Sequence, residues 1–209
     1  MKAVVPVLAL ALAGFAFATP AAVAQPASEV HLDFDGDGRV DRAWIESVAG
    51  NPAPTTQVLS AQVGAERYRA YVPFSSWGTD VRPMHVVDLD GDGREEVVVT
   101  ESVGANTTMS SVWGVDGRLR PLTAAAGGKL VLAEGGGLAA RSLFGCETDG
   151  DGDRALVTVS TQLDWDANRY VGERVVHAVA GGVASEVSRT PVDAAPGDPV
   201  FDLDVESCR

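Results

Sequence analysis

The sequence predicts an all-β protein built from about three related units of four short strands each. An Asp/Gly-rich acidic segment recurs with its first acid at positions 33, 88 and 147, so the copies are 55 and 59 residues apart. Repeats of this period are typical of blades or arrays. Apolar and β-branched residues flank each copy in strand-like runs. No segment carries an apolar stripe of helical period with capping residues, and the many glycines and prolines favour short elements.

The first 24 residues carry the features of a secretory signal peptide. Lys2 precedes a long run of Ala, Leu, Val and Phe, which ends in the small-residue pattern Ala-Val-Ala at 22–24. This pattern predicts cleavage before residue 25 and a secreted, extracellular protein. A membrane anchor is the alternative, but the apolar run is interrupted by Pro6, Gly14 and Pro20. No other segment approaches the roughly 20 apolar residues that span a bilayer.

The rest of the chain, residues 25–209, is predicted to form one β-repeat domain whose units share the same order of elements. An apolar lead-in comes first, the acidic segment follows, and a β-branched run comes next. The units span about 30–74, 84–122 and 138–189. The lead-ins lie at 30–34, 84–89 and 138–144, and the runs after the acidic segments lie at 42–48, 96–103 and 155–163.

Each unit is predicted to end in a β-hairpin. Two further strand-like runs are joined by a tight turn, and Asp-Gly or Gly-Gly between apolar runs favours such a hairpin. The paired runs are 56–63 with 66–74, 107–115 with 118–122, and 169–180 with 183–189. The turns are Gly64-Ala65, Asp116-Gly117 and Gly181-Gly182.

Three segments outside the units receive separate predictions. The Ala/Gly-rich link 123–137 holds one extra strand at 129–133, and 190–199 is a loop. The tail 200–204 reads Val-Phe-Asp-Leu-Asp, which resembles Val-Asp-Leu-Asp at 87–90. We therefore expect a closing strand at about 199–205 that covers an otherwise exposed sheet edge.

The acidic segments have the donor pattern of a calcium loop. In the first two, counting from the first acid, carboxylates occupy positions 1, 3, 5 and 9, and glycine occupies position 6. Oxygen donors around a glycine turn suit calcium, whereas zinc and copper favour His or Cys, and magnesium demands tighter octahedral geometry. Position 7 would contribute its backbone carbonyl. The predicted ligands are Asp33, Asp35, Asp37, Arg39 and Asp41 in the first segment, and Asp88, Asp90, Asp92, Arg94 and Glu96 in the second.

The third acidic segment departs from this pattern. It has acids at positions 1, 3, 5 and 7, but position 9 is Ala155, whose side chain offers no oxygen. We expect weaker binding there, or a site completed by water or by another segment. Its predicted ligands are Glu147, Asp149, Asp151 and Asp153.

The residues around the loops exclude the helical calcium-binding classes. An EF-hand has a bidentate acid at position 12 and helical flanks. Here position 12 is Trp44, Val99 or Thr158, and the flanks have strand-like sequences. The dockerin interpretation fails for the same reasons. A solvated Asp/Gly turn without a metal is the remaining alternative, and two full matches and one partial match at regular spacing favour calcium over it.

The acidic segments resemble the loops of FG-GAP/VCBS repeats. The shared features are Asp-x-Asp-Gly-Asp-Gly-x-x-Asp/Glu between strands and a period near 55–60, and they cover most of residues 30–189. The resemblance implies calcium sites within the blades of a β-propeller. Closed propellers typically have about four to eight blades, whereas this chain holds about three units. The resemblance therefore implies a partial or small propeller-like array that either packs on itself or is completed by self-association.

The charge of the chain limits the partners it is expected to bind. The formal net charge is −13, with 29 acidic and 16 basic residues. This excess argues against nucleic acid, whose binders carry basic patches, and against anionic membrane surfaces. A protein or a carbohydrate is the expected partner, and the sequence does not distinguish them.

The two cysteines, Cys146 and Cys208, predict one disulfide. An even number of cysteines in an oxidising compartment favours pairing. Two unpaired thiols are the alternative.

No catalytic motif is recognisable in the sequence. None of the three histidines, His31, His85 and His177, lies in a metalloprotease motif, and neither a nucleophile elbow nor a P-loop is present. We therefore expect a secreted, calcium-stabilised binding or adhesion module that is not an enzyme. The alternatives are a small secreted hydrolase with structural calcium and a structural envelope or matrix component.

Overall fold

The computed structural model of the chain describes residues 28–47, 56–76, 81–148 and 152–209. Within these residues the protein is all-β, and its only helical elements are two 3-10 helices near the C-terminus. The predicted all-β class is confirmed. No helix within the described part of the chain is long and apolar enough to cross a bilayer. The predicted signal peptide at 1–24 lies outside the described residues.

The first four strands form a sheet of their own. Its order is β1-β2-β3-β4, and each strand pairs antiparallel with the next. The first acidic segment connects β1 to β2. Gly64 turns the chain from β3 into β4 with a φ of 53°, a left-handed conformation that glycine adopts without steric cost. The strands are β1 (Ser28–Leu32), β2 (Asp41–Ser47), β3 (Thr56–Val63) and β4 (Glu66–Pro73).

The other eleven strands form a second sheet, most of it antiparallel. The first of them are β5 (Ser75–Ser76), β6 (His85–Val87), β7 (Glu96–Val103), β8 (Thr107–Val115) and β9 (Leu119–Pro121). The link holds β10 (Thr123–Ala124) and β11 (Val131–Gly135). The last are β12 (Ala140–Thr148), β13 (Arg154–Asp164), β14 (Arg169–Ala180) and β15 (Val183–Ala194).

Strand pairing in this second sheet follows chain order in two groups. β6 to β9 pair successively, and so do β12 to β15. The second acidic segment joins β6 to β7, and the third joins β12 to β13. β11 bridges the two groups, pairing with β8 over five residues but with β12 only through Gly135 and Ser142. The described residues form no closed barrel or propeller ring.

The three predicted hairpins are present, as β3–β4, β8–β9 and β14–β15. The extra strand predicted at 129–133 is present as β11, shifted by two residues. The loop predicted at 190–199 is wrong in its first half, because β15 continues to Ala194 opposite Tyr170 of the equally long β14. Pro191 lies in this part of β15, where β14 is the partner and β10 does not reach, and a proline is tolerated on such an edge.

Strand β7 has buried side chains on both of its faces. Val97 and Val99 belong to a core shared with the first sheet, which includes Leu32, Ile45 and Leu59. Val98 belongs to a second core, shared with Phe144 of β12 and Leu156 of β13. Successive residues of a strand point to opposite faces. The β6–β9 group therefore contributes one face to each of two cores.

The closing strand predicted at about 199–205 is wrong. Pro199–Phe201 and Val205–Cys208 form 3-10 helices instead. The carboxylates of Asp198 and Asp204 accept the backbone N–H groups of Val200 and Glu206, so these acids cap turns rather than line a strand. Phe201 and Cys208 are buried, and they fasten the tail to the protein by side-chain packing.

The predicted disulfide between Cys146 and Cys208 is present, with the two Cα atoms 4.8 Å apart. It links β12 to the last 3-10 helix. The bridge spans a sequence separation of 62 residues. A loop of that size corresponds to about 4 kcal/mol of stabilisation in the chain-entropy model.

Candidate metal sites in the acidic loops

The first acidic segment, residues 33–41 (loop 1), brings three carboxylates together. One oxygen from each of Asp33, Asp35 and Asp37 lies within 4.8 Å of the others. Asp33 is half-buried, and the other two side chains are exposed. The loop lies between β1 and β2, so the paired strands fix both of its ends.

Local hydrogen bonds explain why these residues converge. Asp33 Oδ1 accepts the N–H groups of Gly36 (2.8 Å) and Asp37 (3.2 Å), and Oδ2 accepts that of Gly38 (2.7 Å). Gly36 and Gly38 have φ values of 74° and 80°, which other residues rarely adopt. The alternation of aspartate and glycine therefore wraps the chain around the first carboxylate.

The second acidic segment, residues 88–96 (loop 2), repeats this geometry between β6 and β7. Oxygens of Asp88, Asp90 and Asp92 lie within 4.8 Å of one another. Asp88 Oδ1 accepts the N–H of Gly91 (2.8 Å), and Oδ2 accepts that of Gly93 (3.3 Å). Both glycines again have positive φ, at 72° and 82°. Two loops 55 residues apart thus share donors, turns and position in their strand groups.

The acids at position 9 take a different place from the three converging carboxylates. Asp41 Oδ2 accepts the N–H of Phe34 (3.1 Å), and Asp41 Oδ1 accepts that of Gly64 (3.1 Å). Glu96 Oε2 accepts the N–H of Leu89 (3.2 Å). In each loop, therefore, the predicted ninth-position ligand ties the end of the loop back to its second residue.

The electrostatics of the two loops differ. Burial would raise the pKa of Asp33, but the N–H groups of Gly38, Gly36 and Asp37 outweigh it and lower that pKa. In loop 2, burial and the charge of Asp92 raise the pKa of Asp90. Burial also raises the pKa of Glu96 to about 8, and the neighbouring aspartates add to the shift. Loop 2 thus holds acids whose negative charge is poorly compensated by protein groups.

Position 7 is an arginine in both loops. The N–H of Arg39 donates to Asp37 Oδ1 and the N–H of Arg94 donates to Asp92 Oδ1, each at 2.8 Å. The guanidinium of Arg39 is exposed and lies 3.8 Å from Asp37 Oδ2. The arginine backbones therefore continue the turn, while the Arg39 side chain stays at the surface.

The third acidic segment, residues 147–155 (loop 3), begins differently. Glu147 lies within β12, where it pairs with Ala155, and its carboxylate forms an ion pair with Arg174. The strand therefore runs past the end at 144 predicted for the lead-in. Asp153 is exposed. Asp149 and Asp151 lie outside the described residues.

Charged residues at position 8, which the sequence did not single out, connect each loop to the one before it. Glu95 of loop 2 accepts the N–H of Asp33 (2.6 Å) and donates its own N–H to the Asp33 carbonyl (2.7 Å). Arg154 of loop 3 donates to the carbonyl of Asp88 (2.7 Å). Both residues occupy position 8 of their loops, and this shared position could have identified them in the sequence. Glu95 and Arg154 carry opposite charges, however, so they form no recognisable motif.

No histidine belongs to the converging groups of loops 1 and 2, although His31 lines a cavity of about 410 Å³ together with Asp37 and Asp41 of loop 1. His85 Nδ1 lies 3.6 Å from Glu206 Oε1, beside a cavity of about 240 Å³ that is also lined by Thr100, Thr108 and Ser110. His177 Nε2 lies 3.4 Å from the hydroxyl of Thr158. Within the described residues, no serine, threonine or cysteine forms a hydrogen bond to His85.

No family model, curated protein or solved structure matches the chain.

Proposed function

We propose that loops 1 and 2 bind calcium and that the chain is an FG-GAP/VCBS-like repeat protein stabilised by the bound ions. One observation carries the proposal: in each of two loops, three aspartates at positions 1, 3 and 5 direct carboxylate oxygens to within 4.8 Å of one another. A divalent ion at the shared centre would offset the repulsion among them.

The donor set favours calcium over other divalent ions. All the converging side chains are carboxylates, which hard cations prefer, and neither cluster includes a histidine or cysteine. Both loops are partly exposed, so water and backbone carbonyls are available to complete the six to eight oxygens that calcium takes. Magnesium would require a tighter octahedral arrangement.

The position of the loops favours a structural role for the ion. Each loop connects the first two strands of a group that pairs in chain order, β1–β4 in one case and β6–β9 in the other. Strands β12–β15 form a third such group around loop 3. These pairings support a three-unit, propeller-like array, which self-association would extend. Calcium would hold the turn that sets the first strand pair of each unit.

We propose further that the protein is secreted and acts as a non-catalytic binding or adhesion module for a protein or carbohydrate partner. The disulfide is compatible with an oxidising compartment. Two exposed aromatic side chains, Tyr71 on β4 and Trp165 in the β13–β14 turn, offer contact surface away from the acidic loops. A structural envelope or matrix component is the related alternative.

The metal is tested by thermal unfolding of the full chain in EDTA, then with excess calcium or magnesium. Extracellular sites bind calcium at about 10⁻⁴–10⁻³ M, so millimolar calcium should raise the melting temperature by about 3–6 °C over EDTA. Asp35→Ala should remove part of this rise. Asp164→Ala is the matched control, because Asp164 also accepts turn N–H groups, those of Asp166 and Ala167, outside the loops.

Two outcomes would contradict the proposal. Equal melting temperatures in EDTA and in calcium would leave the loops as ordinary Asp/Gly turns. Equal loss of the calcium effect in Asp35→Ala and Asp164→Ala would show that the effect does not arise in loop 1.

The hydrolase alternative has one observation in its favour, the His85–Glu206 pair beside a cavity. Both side chains are about half exposed, and the described residues supply no hydroxyl or thiol bonded to the imidazole. We expect no turnover of chromogenic esters or glycosides beyond that of His85→Ala. Turnover that His85→Ala abolishes would establish the enzyme instead.

A further inference from the structure

The last eleven residues, 199–209, form a strap across the protein; we call this segment the C-terminal strap. Phe201 fixes one end of it, where its ring meets that of Tyr170 edge to face at 5.4 Å between centroids. Cys208, which is fully buried, fixes the other end beside Val87 and Leu89. The buried end of the strap therefore packs against the residues that flank Asp88, the first aspartate of loop 2.

The strap holds the backbone of Asp88 directly. The N–H of Asp88 donates to the carbonyl of Cys208 at 2.7 Å. Arg154 donates to the carbonyl of Asp88 (2.7 Å) through Nη1 and to that of Arg209 (3.0 Å) through Nη2. Both backbone polar groups of Asp88 are thus satisfied by the strap or by an arginine bonded to it.

Two features of β12 hold the strap in place. One is the disulfide from Cys146, whose N–H also donates to the hydroxyl of Ser207 (2.8 Å). The other is Gly145, where a Cβ atom would lie 2.7 Å from the carbonyl oxygen of Asp204. The close approach of the strap to β12 therefore requires a glycine at this position.

Loop 1 has no such connection. The N–H and carbonyl of Asp33 pair with Glu95 of loop 2, and none of the hydrogen bonds between described residues joins the strap to loop 1. The two loops share their internal geometry but are held from outside by different elements.

We infer that the disulfide-held strap sets the order of loop 2, and with it the affinity of loop 2 for calcium, while loop 1 is independent of the strap. The part of this inference that concerns calcium rests on the proposed function, whereas the part that concerns loop order does not.

Amide hydrogen exchange of the full chain tests the order of the loops. The variant is Cys146→Ala/Cys208→Ala, which frees the strap without a reductant. Exchange of the 88–93 amides should become about tenfold faster, while that of the 33–38 amides should change by less than about twofold. Unchanged exchange in loop 2, or equal acceleration in both loops, would overturn the inference.

A second variant covers the case in which loss of the disulfide unfolds the protein. Arg154→Gln keeps the disulfide but shortens the side chain that joins Asp88 to Arg209. Exchange should again accelerate in loop 2 alone, by about threefold or more. Arg174→Gln is the matched control, because Arg174 binds Glu147 on the other side of β12 and makes no contact with Asp88. Acceleration by the control equal to that by Arg154→Gln would overturn the inference.

Calcium titration separates failure of the inference from failure of the proposed function. In an Asp35→Ala/Asp37→Ala background, which removes the loop 1 site and leaves loop 2 unaltered, removal of the disulfide should weaken calcium binding at the tighter remaining site by about tenfold. An unchanged affinity would overturn the calcium part. If the wild-type chain binds no calcium, the proposed function fails, and hydrogen exchange still decides the role of the strap.

Discussion

At the scale of single residues, close approaches of the backbone require glycine at particular positions within strands. Gly172 lies in the interior of β14, a position where glycine usually weakens a strand. A Cβ atom there would lie 2.1 Å from the carbonyl oxygen of Ser160 and 2.7 Å from Cα of Thr161. The neighbouring strand β13 approaches so closely that no other residue fits.

Gly172→Ala should therefore destabilise the protein by about 1–3 kcal/mol, because backbone atoms must move to admit the methyl group. Gly114→Ala in β8 is the matched control, since a Cβ atom there would meet nothing closer than 3.5 Å. The control should change the free energy of unfolding by less than about 1 kcal/mol. Urea denaturation measures both, and equal effects would refute the packing argument.

His177 supplies a pH-dependent contribution to stability. Burial lowers its pKa below 6.5, Arg189 lowers it further, and Glu186 opposes both. The unfolded chain therefore takes up a proton near pH 6.5, where folded His177 is still neutral. As pH falls from about 6.5 to the folded pKa, the free energy of unfolding falls, and below that pKa this term is constant.

His177→Gln should remove this dependence. Between pH 7.5 and 5.5 the variant should lose less stability than wild type, with a slope smaller by less than about one proton. Above pH 7.5, where the imidazole is neutral in both states, the two proteins should differ by a constant offset. Parallel curves across the whole range would show that folding does not shift the pKa of His177.

The convergence of the aspartates in loops 1 and 2 could be predicted from the sequence. Aspartates at positions 1, 3 and 5 converge because the glycines at positions 4 and 6 adopt positive φ. The position of Asp41 was not readable, since its oxygens accept N–H groups from Phe34 and from the distant turn at Gly64. The spacing of residues within the loop does not reveal a hydrogen bond from its carboxylate to another hairpin.

At the scale of elements, loops 1 and 2 are in contact with each other. Glu95 exchanges two hydrogen bonds with the backbone of Asp33, and Cβ at Gly36 would lie 3.2 Å from Cγ of Arg94. Glu95, near the end of loop 2, therefore joins the two loops, whereas Asp88, at the start of loop 2, is held by the C-terminal strap.

Glu95→Ala should cost about 1–2 kcal/mol, because it leaves the half-buried N–H of Asp33 without its acceptor. Glu95→Gln should retain most of the stability, since its amide oxygen can accept the same hydrogen bond. Chemical denaturation in EDTA measures this contribution without any effect of calcium. Equal losses in both variants would assign the effect to charge and not to the hydrogen bond.

The ends of strands could be predicted where turn-forming residues set them. They could not be predicted where pairing with a neighbouring strand sets them. Asp116-Gly117 and Gly181-Gly182 mark their hairpins because these residues favour tight turns. Strand β15 was predicted to end at residue 189 but continues to Ala194, because β14 pairs with it as far as Tyr170. The tail 200–204 has the sequence of a lead-in, yet Asp198 and Asp204 each cap a 3-10 turn.

At the scale of the whole molecule, the group β6–β9 joins the two larger cores. Val97 packs into the core shared with the first sheet, and its neighbour Val98 packs into the core shared with β12 and β13. A sheet with one wet face would bury only one of two successive residues. The sequence indicated the run of valines but not which sheets would cover it.

Val97→Ala and Val98→Ala should therefore each destabilise the protein, by about 1–3 kcal/mol, although their side chains point in opposite directions. Val187→Ala in β15 is the matched control, because that side chain is 64% exposed. It should cost less than about 1 kcal/mol. A neutral result for either buried valine would show that one face of β7 contributes little.

The two apolar faces of the β6–β9 group also bear on how such a chain can lengthen. A second copy of the β6–β9 group, inserted next to the first, would again present one apolar face on each side. Each copy could then pack against the strands that flank it. Internal duplication of this segment is therefore compatible with the packing of Val97 and Val98, because each copy would cover an apolar face of the next.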